Sequence, residues 1–310
     1  MITAILDLGS NTFNLLVYDF EKESMLFSEK LPVKIGQSGY KEKTITQEAM
    51  NRSTDVLQKH LESAKVFGAT DIVAFGTSAI RSANNKNEFV SFIKDETSIE
   101  INVINGIQEA ELIYQGVNQT LSSRDQDYLI MDIGGGSTEF ILVKDQNPVW
   151  MHSFDLGVSR ILEYVKPKNP LNQVDNDKLH ELLELELAPL MKALEDFPIK
   201  TLIGASGSFE SFFSMLNFDE QKSIGKVLSF ESERLMKLMG ELVQSTLEER
   251  LNRKGLVKMR SDTIHLAAAL CLYLQKQYNF TQIKYSDYSL KEGVIMNLKE
   301  NTSIWQRSLL

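Results

Sequence analysis

The architecture of this chain is encoded most clearly in two stretches, Asp7-Leu-Gly-Ser-Asn-Thr-Phe-Asn-Leu-Leu-Val17 and Asp132-Ile-Gly-Gly-Gly-Ser-Thr-Glu-Phe-Ile-Leu142. In each, an aspartate ends an apolar run, a turn with glycine and hydroxyl side chains follows, and a second apolar run begins. This is the pattern of a β-hairpin. The two aspartates lie 125 residues apart, which is the size of a typical domain. We therefore interpret the chain as a duplication that builds two related domains.

Strand-like and helix-like patterns alternate along the rest of the chain. Short β-rich runs predict strands at residues 3–7, 15–20, 72–75, 100–104, 128–133, 139–143, 201–203 and 282–285. Amphipathic spacing predicts helices at 49–64 after an N-cap at Thr46, 88–94, 108–121, 177–194 with an interruption at Pro189, 208–216, 231–246 and 262–278. Alternation of this kind is typical of α/β architecture with mixed sheets.

Composition excludes several classes of protein. With 43% hydrophobic and 24% charged residues, the 310-residue chain is an ordinary globular sequence and not a disordered one. A single cysteine excludes a disulfide framework and a thiolate zinc site, and the four histidines are too scattered for a zinc hydrolase. The net charge is −9, so we expect no general binding of nucleic acid.

The sequence shows no sign of a membrane segment. The longest apolar stretch, residues 264–274, has eleven residues, whereas a membrane span needs about 20. The first residues carry no basic region of the kind that opens a signal peptide. We therefore expect a cytoplasmic protein without a membrane partner.

Three glycine-rich turns follow predicted strands. Such a turn lets backbone N–H groups approach an anion, because glycine has no Cβ in the way. The third turn also opens a helix, whose N-terminal dipole favours a negative charge. Three turns of this kind favour phosphate binding over plain hairpin geometry. The candidate ligands are Gly9, Ser10 and Asn11 in the first, Gly134, Gly135, Gly136 and Ser137 in the second, and Ser206, Gly207 and Ser208 in the third.

Carboxylates next to these turns point to a bound cation. Asp7 and Asp132 each end a predicted strand, and Glu139 follows Asp132 by seven residues. Carboxylates repel phosphate unless a cation lies between them, and their hard oxygens suit Mg²⁺ or Mn²⁺, with water and substrate completing the shell. The alternative is a turn-capping aspartate and a surface glutamate, which fits Asp132 least well.

Two further side chains are candidates for chemistry. Glu109 lies in the first turn of a predicted helix, where acidic residues are also common for helix stability alone. Arg81 follows a strand and a hydroxyl-rich turn, and a guanidinium is the natural bidentate partner of a phosphate. From the residues alone, a structural and a functional role both stay open for these two side chains.

Several segments occur in the order seen in a known family. They are DLGSNTFNLLV (7–17), FGTSAIR (75–81), residues 104–117, MDIGGGSTEFILV (131–143), LGVSRI (156–161), the turn at 204–208 and SLKEGVI (289–295). With them the sequence resembles the exopolyphosphatase / guanosine pentaphosphate phosphohydrolase family of the actin-like ATPase superfamily. The resemblance implies two actin-like domains of ribonuclease-H-like topology, each a mixed β-sheet flanked by helices, with a phosphate cleft between them. We place these domains at 1–120 and 121–295, with residues 296–310 packing back on the first.

The resemblance also implies an activity, the hydrolysis of the terminal phosphoanhydride of inorganic polyphosphate with Mg²⁺ to release orthophosphate. By motif position, Glu109 matches the family's catalytic base, and Asp132 and Glu139 match its metal-associated carboxylates. The glycine-rich turns match its phosphate loops, and Arg81 matches its phosphate-binding arginine. A homodimer stays open, because the clefts of two copies could extend the path of a polyanion.

Four positions depart from the family pattern. Gln108 stands where many members have a second glutamate, Glu111 and Asn14 stand where a basic residue is common, and Lys291 replaces an arginine. These changes reduce local positive charge and weaken the expectation of tight binding to a long polyanion. The chain resembles the short, two-domain form of the family.

Three other functions stay open. Hydrolysis of guanosine pentaphosphate, or of another nucleoside polyphosphate, needs the same chemistry, and no residue separates it from polyphosphate hydrolysis. A non-catalytic sensor would bind nucleotide or polyphosphate without turnover. An ATP-dependent kinase or chaperone-like ATPase of the same superfamily would release ADP and need an adenosine pocket near residues 204–213.

Overall fold

A computed structural model describes residues 1–36, 42–122, 127–218, 225–300 and 305–310. The chain divides into two compact units, one formed by residues 1–116 with 290–310 and the other by residues 117–289. These limits lie a few residues from the sequence-based limits at 120 and 295. Residues 301–304 of the predicted C-terminal segment lie outside the described residues.

Every predicted strand and helix has a counterpart in the structure. The strands are β1 (Ile2–Leu8), β2 (Thr12–Asp19), β3 (Ser24–Pro32), β4 (Asp71–Gly76), β5 (Ile101–Val103), β6 (Tyr128–Ile133), β7 (Thr138–Lys144), β8 (Asn147–Phe154), β9 (Thr201–Ala205), β10 (Val227–Ser229), β11 (Gln282–Ser286) and β12 (Ser308–Leu309). The α-helices are α1 (Gln47–Val66), α2 (Ser78–Arg81), α3 (Lys86–Thr97), α4 (Gly106–Asn118), α5 (Val158–Val165), α6 (Gln173–Glu186), α7 (Ala188–Asp196), α8 (Ser206–Leu216), α9 (Ser232–Gln244), α10 (Leu247–Leu251), α11 (Ile264–Tyr278) and α12 (Leu290–Lys299), and a 3₁₀-helix spans Lys258–Arg260.

The two sheets share one strand order. In the first unit β3, β2 and β1 form an antiparallel meander, β4 pairs parallel with β1, and β5 pairs parallel with β4. In the second unit β8, β7 and β6 form the same meander, β9 pairs parallel with β6, and β11 pairs parallel with β9. The shared order supports the duplication inferred from the sequence and confirms the α/β class with two mixed sheets flanked by helices.

Each unit has its own hydrophobic core. In the first unit the buried faces of β1, β2 and β4 pack against α1 and α3, with Phe13, Leu57 and Phe89 fully buried. In the second unit the sheet packs against α5, α8 and α11, with Phe140 and Phe209 fully buried. Because central strands are covered by helices, their apolar runs are nearly continuous, which is why these strands were predictable.

Local capping sets where the helices begin. The Thr46 hydroxyl accepts the Ala49 N–H at 3.2 Å, which confirms the predicted N-cap of α1. α6 begins at Gln173, four residues before the predicted start, because Asn172 and Asp175 form a reciprocal capping box. Pro189 lies in the first turn of α7, where a proline is tolerated, and this separates α7 from α6.

The end of the chain returns to the first sheet. β12 pairs antiparallel with β4, with Ser308 opposite Ile72. The Trp305 ring packs edge-to-face on Phe75 with 5.0 Å between ring centroids, and Arg307 forms an ion pair with Asp71 at 3.1 Å. Among the described residues, no helix combines the length and the apolar character needed to cross a membrane.

Candidate active site

In the first unit, the predicted phosphate turn follows the carboxyl end of β1. Gly9, Ser10 and Asn11 join β1 to β2, and the Gly9 N–H donates to the Thr12 carbonyl at 3.1 Å. Asp7 lies opposite Asn14 of β2 in the sheet, and the Asn14 Nδ2 donates to the Asp7 Oδ2 at 2.8 Å. Asn14, one of the positions that depart from the family pattern, thus supplies a neutral donor to the Asp7 carboxylate.

Arg81 and Glu109 form an ion pair in the same unit. Arg81 ends the short helix α2 after β4, and Glu109 lies in the first turn of α4 after β5. The Arg81 Nη1 donates to the Glu109 Oε2 at 2.7 Å and to the Ile104 carbonyl at 3.1 Å. Glu109 is only 7% exposed. The structure therefore brings together two predicted site residues that are 28 positions apart in sequence.

Gln108, one of the positions that depart from the family pattern, helps to cap the start of α4. The Asn105 side chain accepts the N–H groups of Ile107 and Gln108, each at 2.9 Å. In return, the Gln108 Oε1 accepts the Asn105 N–H at 2.9 Å. This reciprocal capping fixes the first helical turn and with it the backbone that carries Glu109.

In the second unit, Asp132 is held by two serine hydroxyls. It lies at the end of β6, buried, and its Oδ2 accepts from Ser206 at 2.5 Å and from Ser289 at 2.7 Å. Ser206, the first residue of α8, has a φ of 58°, a left-handed conformation that is costly for a residue with a Cβ. Ser289 opens the SLKEGVI segment (289–295), but it was not singled out as a site residue, because the motif does not show that its hydroxyl reaches Asp132.

Glu139 lies directly opposite Asp132 on β7. Directly opposed residues of an antiparallel pair project from the same face of the sheet. The buried Glu139 Oε1 accepts from the Ser153 hydroxyl of β8 at 2.6 Å. Carboxylates and hydroxyls make an oxygen donor set of the kind that Mg²⁺ prefers. Within the described ranges, no group of three or more His, Cys, Asp or Glu side chains could hold a metal, so water and substrate oxygens would have to complete a coordination shell.

The turn at Gly134–Ser137 is packed against the start of α5. The N–H groups of Val158 and Ser159 donate to the carbonyls of Gly134 and Gly135 at 3.0 and 2.9 Å. A side chain at Gly157 would overlap the backbone of Gly135 and Gly136. The close approach of these two segments holds the glycine-rich turn in a fixed shape.

Arg260 is a basic residue of the second unit that the sequence did not single out. Its guanidinium lies against the α-carbon of Gly207, so that a methyl group at position 207 would overlap it. Burial lowers the pKa of Arg260, whereas the nearby carboxylates of Glu210 and Asp132 raise it. Arg260 is some fifty residues downstream of the turn that it contacts, in a short 3₁₀-helix without any anion-binding pattern, and only the fold reveals the proximity.

Three comparisons place the chain among known proteins. A sequence model described as the Ppx/GppA phosphatase family matches residues 16–302. The crystal structure of an exopolyphosphatase from Cytophaga hutchinsonii is 33% identical, with a TM-score of 0.91 over 99% of this chain and 100% of that one. Exopolyphosphatase 1 of Mycobacterium bovis is 24% identical over 96% of this chain and 88% of its own length. The guanosine-5'-triphosphate,3'-diphosphate pyrophosphatase of Aeromonas salmonicida is 26% identical over 96% of this chain but only 59% of its own length.

These similarities run over nearly the whole chain and include both units. They confirm the family that the ordered motifs resemble, and with it the expected class of enzyme, a phosphatase among the hydrolases. The chain belongs to the Ppx/GppA phosphatase family.

Proposed function

We propose that the protein is an exopolyphosphatase that hydrolyses the terminal phosphoanhydride of inorganic polyphosphate, with Glu109 as the general base. The observation that carries this proposal is the 2.7 Å ion pair between the buried Glu109 carboxylate and Arg81. A base that activates water and a cation that binds the attacked phosphoryl group must act at the same place. The relatives named exopolyphosphatase support the choice of substrate.

In the proposed reaction a water molecule attacks the terminal phosphorus and the bridging P–O bond breaks. Orthophosphate and a chain shorter by one unit are released, and Glu109 accepts a proton from the attacking water. A positioned general base of this kind typically contributes about 10²–10⁴-fold to the rate. Phosphoryl transfer otherwise depends on positioning and charge stabilisation. Arg81 supplies both, because a guanidinium has five N–H donors and can contact a carboxylate and a phosphate oxygen together.

The phosphate oxygens would be bound mainly by backbone N–H groups of the three glycine-rich turns. Gly9–Asn11 in the first unit and Gly134–Ser137 and Ser206–Ser208 in the second are the proposed turns. The last one opens α8, so the helix dipole adds to the attraction. Arg260, whose guanidinium lies at Gly207, adds a positive charge at this turn.

Mg²⁺ or Mn²⁺ is the proposed cofactor. Asp132 and Glu139 would hold it, because both are buried carboxylates surrounded by hydroxyl oxygens. Asp7 is the third proposed carboxylate, at the corresponding position of the first sheet. When bound, a divalent ion neutralises charge on phosphate oxygens.

Hydrolysis of guanosine pentaphosphate is the second candidate function, which the Aeromonas relative's name supports. A direct comparison of substrates tests both. Purified protein with Mg²⁺ should release orthophosphate faster from polyphosphate chains than from guanosine pentaphosphate, and removal of the metal by EDTA should stop the release. Release from guanosine pentaphosphate alone would select the second candidate. Tight binding of either compound without release would favour a sensor and overturn the enzyme proposal.

A further inference from the structure

Arg250 is among the largest side chains that are fully buried in the described part of the chain, with 1% exposure. It lies on α10, and all its acceptors are neutral. Its Nε donates to the Ser261 carbonyl at 2.6 Å, its Nη1 to the Ser245 carbonyl at 2.5 Å, and its Nη2 to the Asn169 Oδ1. Burying a guanidinium is costly. Burial lowers the pKa of Arg250, and the nearby carboxylates of Asp262 and Glu249, which raise it, offset this only in part. An interaction this costly calls for an explanation beyond packing.

Hydrogen bonds between Arg250 and Ser261 close the loop formed by residues 250–261. Arg250 begins the segment 250–261 and Ser261 ends it. Besides the Nε contact, the Ser261 hydroxyl donates to the Arg250 carbonyl at 3.5 Å, so the two ends are joined twice. Ser245 directly follows α9 and Asn169 precedes α6, so the same guanidinium also connects the loop to two neighbouring segments.

The loop runs along α8 and carries Arg260. At its tip, Gly255 has a φ of 79° and packs so tightly on Ser214 and Met215 that a Cβ would overlap their backbone. At its end, the Arg260 guanidinium lies at Gly207, in the first turn of α8. Arg260 immediately precedes Ser261, whose carbonyl is held by Arg250. The peptide that follows Ser261, one residue beyond Arg260, is therefore fixed by the buried guanidinium.

We propose that Arg250 is a positioning residue, which closes the loop 250–261 and thereby sets the Arg260 guanidinium at the phosphate turn Ser206–Ser208. The inference rests on the proposed function, in which this turn binds a phosphate group of the substrate. Arg250 itself, enclosed by carbonyl and amide oxygens, does not touch substrate.

A double-mutant cycle tests the proposal. The variants are Arg250→Met, Arg260→Met and both together, with Arg253→Met as a matched control. Arg253 is the neighbouring surface arginine, which pairs with Glu241 at 2.7 Å. Steady-state phosphate release from polyphosphate gives kcat and KM, and calorimetry with tripolyphosphate gives binding without turnover. Folding is checked by circular dichroism.

Arg250→Met should raise KM and the Kd for tripolyphosphate about tenfold or more, the effect of losing one charge-assisted hydrogen bond to the substrate. The change in kcat should be smaller. In the Arg260→Met background the same substitution should have almost no further effect on either constant, because its influence passes through Arg260. Arg253→Met removes a partly exposed ion pair of the same loop but leaves the contacts between Arg250 and Ser261 in place, so its effect on both constants should be far smaller than that of Arg250→Met.

Equal effects of Arg250→Met in the presence and absence of Arg260 would overturn the proposal, as would a loss of active protein at unchanged KM and Kd. If Arg250→Met does not fold, Asn169→Ala removes one acceptor only and should give a smaller KM increase that again disappears without Arg260.

Failure of the proposed function would give a different result. Wild-type protein would then bind tripolyphosphate in an Arg250- and Arg260-dependent way but release no phosphate. No binding of tripolyphosphate by wild type would refute both.

Discussion

At Gly207 the absence of a side chain has a direct chemical consequence. The Arg260 guanidinium occupies the space that a Cβ would need. We expect Gly207→Ala to displace this guanidinium from the phosphate turn and to lower kcat/KM about tenfold to hundredfold, the cost of one weakened hydrogen bond to a charged group. Phosphate release by the purified variant, compared with its circular dichroism spectrum, measures this.

Gly240→Ala is the matched control for this substitution. Gly240 lies in the middle of α9 with no atom near the position of an added Cβ. Alanine there should leave the activity unchanged and stabilise the protein by about 0.5–1 kcal/mol through helix propensity. Equal activities of the two variants would contradict the placement of Arg260 at the phosphate turn.

His265 is a buried side chain whose protonation should make the folded protein sensitive to acid. It is completely buried in α11, and neither ring nitrogen has a hydrogen-bond partner. Burial, with a smaller contribution from the Arg250 charge, lowers its pKa to about 3, although Asp262 opposes this. Because the unfolded chain protonates this histidine near pH 6.5, it binds more protons than the folded chain between pH 3 and 6.5. The stabilisation from His265 is therefore complete above this window and is lost as the pH falls through it.

We expect His265→Leu to flatten the acid limb of the stability curve. The slope of the unfolding free energy against pH should fall by at most about 1.4 kcal/mol per pH unit within that window. Urea unfolding at several pH values measures the slope, and the exposed His180→Gln serves as the control. An unchanged slope in His265→Leu would show that the buried ring is not held neutral.

At the level of helices and strands, the central strands were predicted well and the edge strands were not. β1, β4, β6 and β9 are covered on both faces and read as continuous apolar runs. β3 and β8 lie at sheet edges with mixed exposure, and each contains a proline, so neither has a clear alternation. A short-range pattern carries little information where a strand has neither a continuous apolar run nor a regular alternation of buried and exposed residues.

The candidate site shows the same limit. The sequence motifs identified Glu109, Arg81 and Asp132 as candidate site residues, because each lies next to a strand end and a turn of recognisable composition. Their partners were not identified, since Ser289 and Arg260 reach the site from distant segments: Ser289 opens a motif that does not reveal its contact with Asp132, and Arg260 lies in no motif. Such contacts depend on tertiary packing, which single-sequence patterns do not contain. The catalytic, phosphate-binding and metal-binding roles themselves remain predictions.

The C-terminal strand β12 is expected to stabilise the edge of the first sheet. Besides its contact with Phe75, Trp305 donates from its indole nitrogen to the Asn297 Oδ1 at 2.8 Å. We expect Trp305→Ala to lower the unfolding free energy by about 2–3 kcal/mol, less than for a fully buried tryptophan because the ring is partly exposed. Hydrogen exchange in β4 should accelerate in this variant. Trp150→Ala, on β8 of the second unit, should leave β4 exchange unchanged, and equal β4 exchange in both variants would contradict the assignment.

Across the whole molecule, the duplicated sheets have diverged in their charged residues. The position of Glu139 in the second sheet corresponds to Asn14 in the first, so the second unit has two carboxylates where the first has one. We therefore expect Asp132→Asn to weaken Mg²⁺ binding more than Asp7→Asn does. Bound metal stabilises the folded state by about 2.7 kcal/mol at a hundredfold excess over Kd. Thermal unfolding against Mg²⁺ concentration measures this, and equal effects of the two substitutions would refute the asymmetry.

The central claim is that Glu109 activates water for attack on a terminal phosphate. Glu111 provides the control, because it lies two residues further along α4 and is exposed. The decisive measurement is phosphate release from polyphosphate with Mg²⁺ by Glu109→Gln and Glu111→Gln, together with tripolyphosphate affinity. The account predicts a loss of about 10²–10⁴-fold in kcat for Glu109→Gln with affinity retained, and wild-type behaviour for Glu111→Gln. Turnover at the wild-type rate by Glu109→Gln would contradict it.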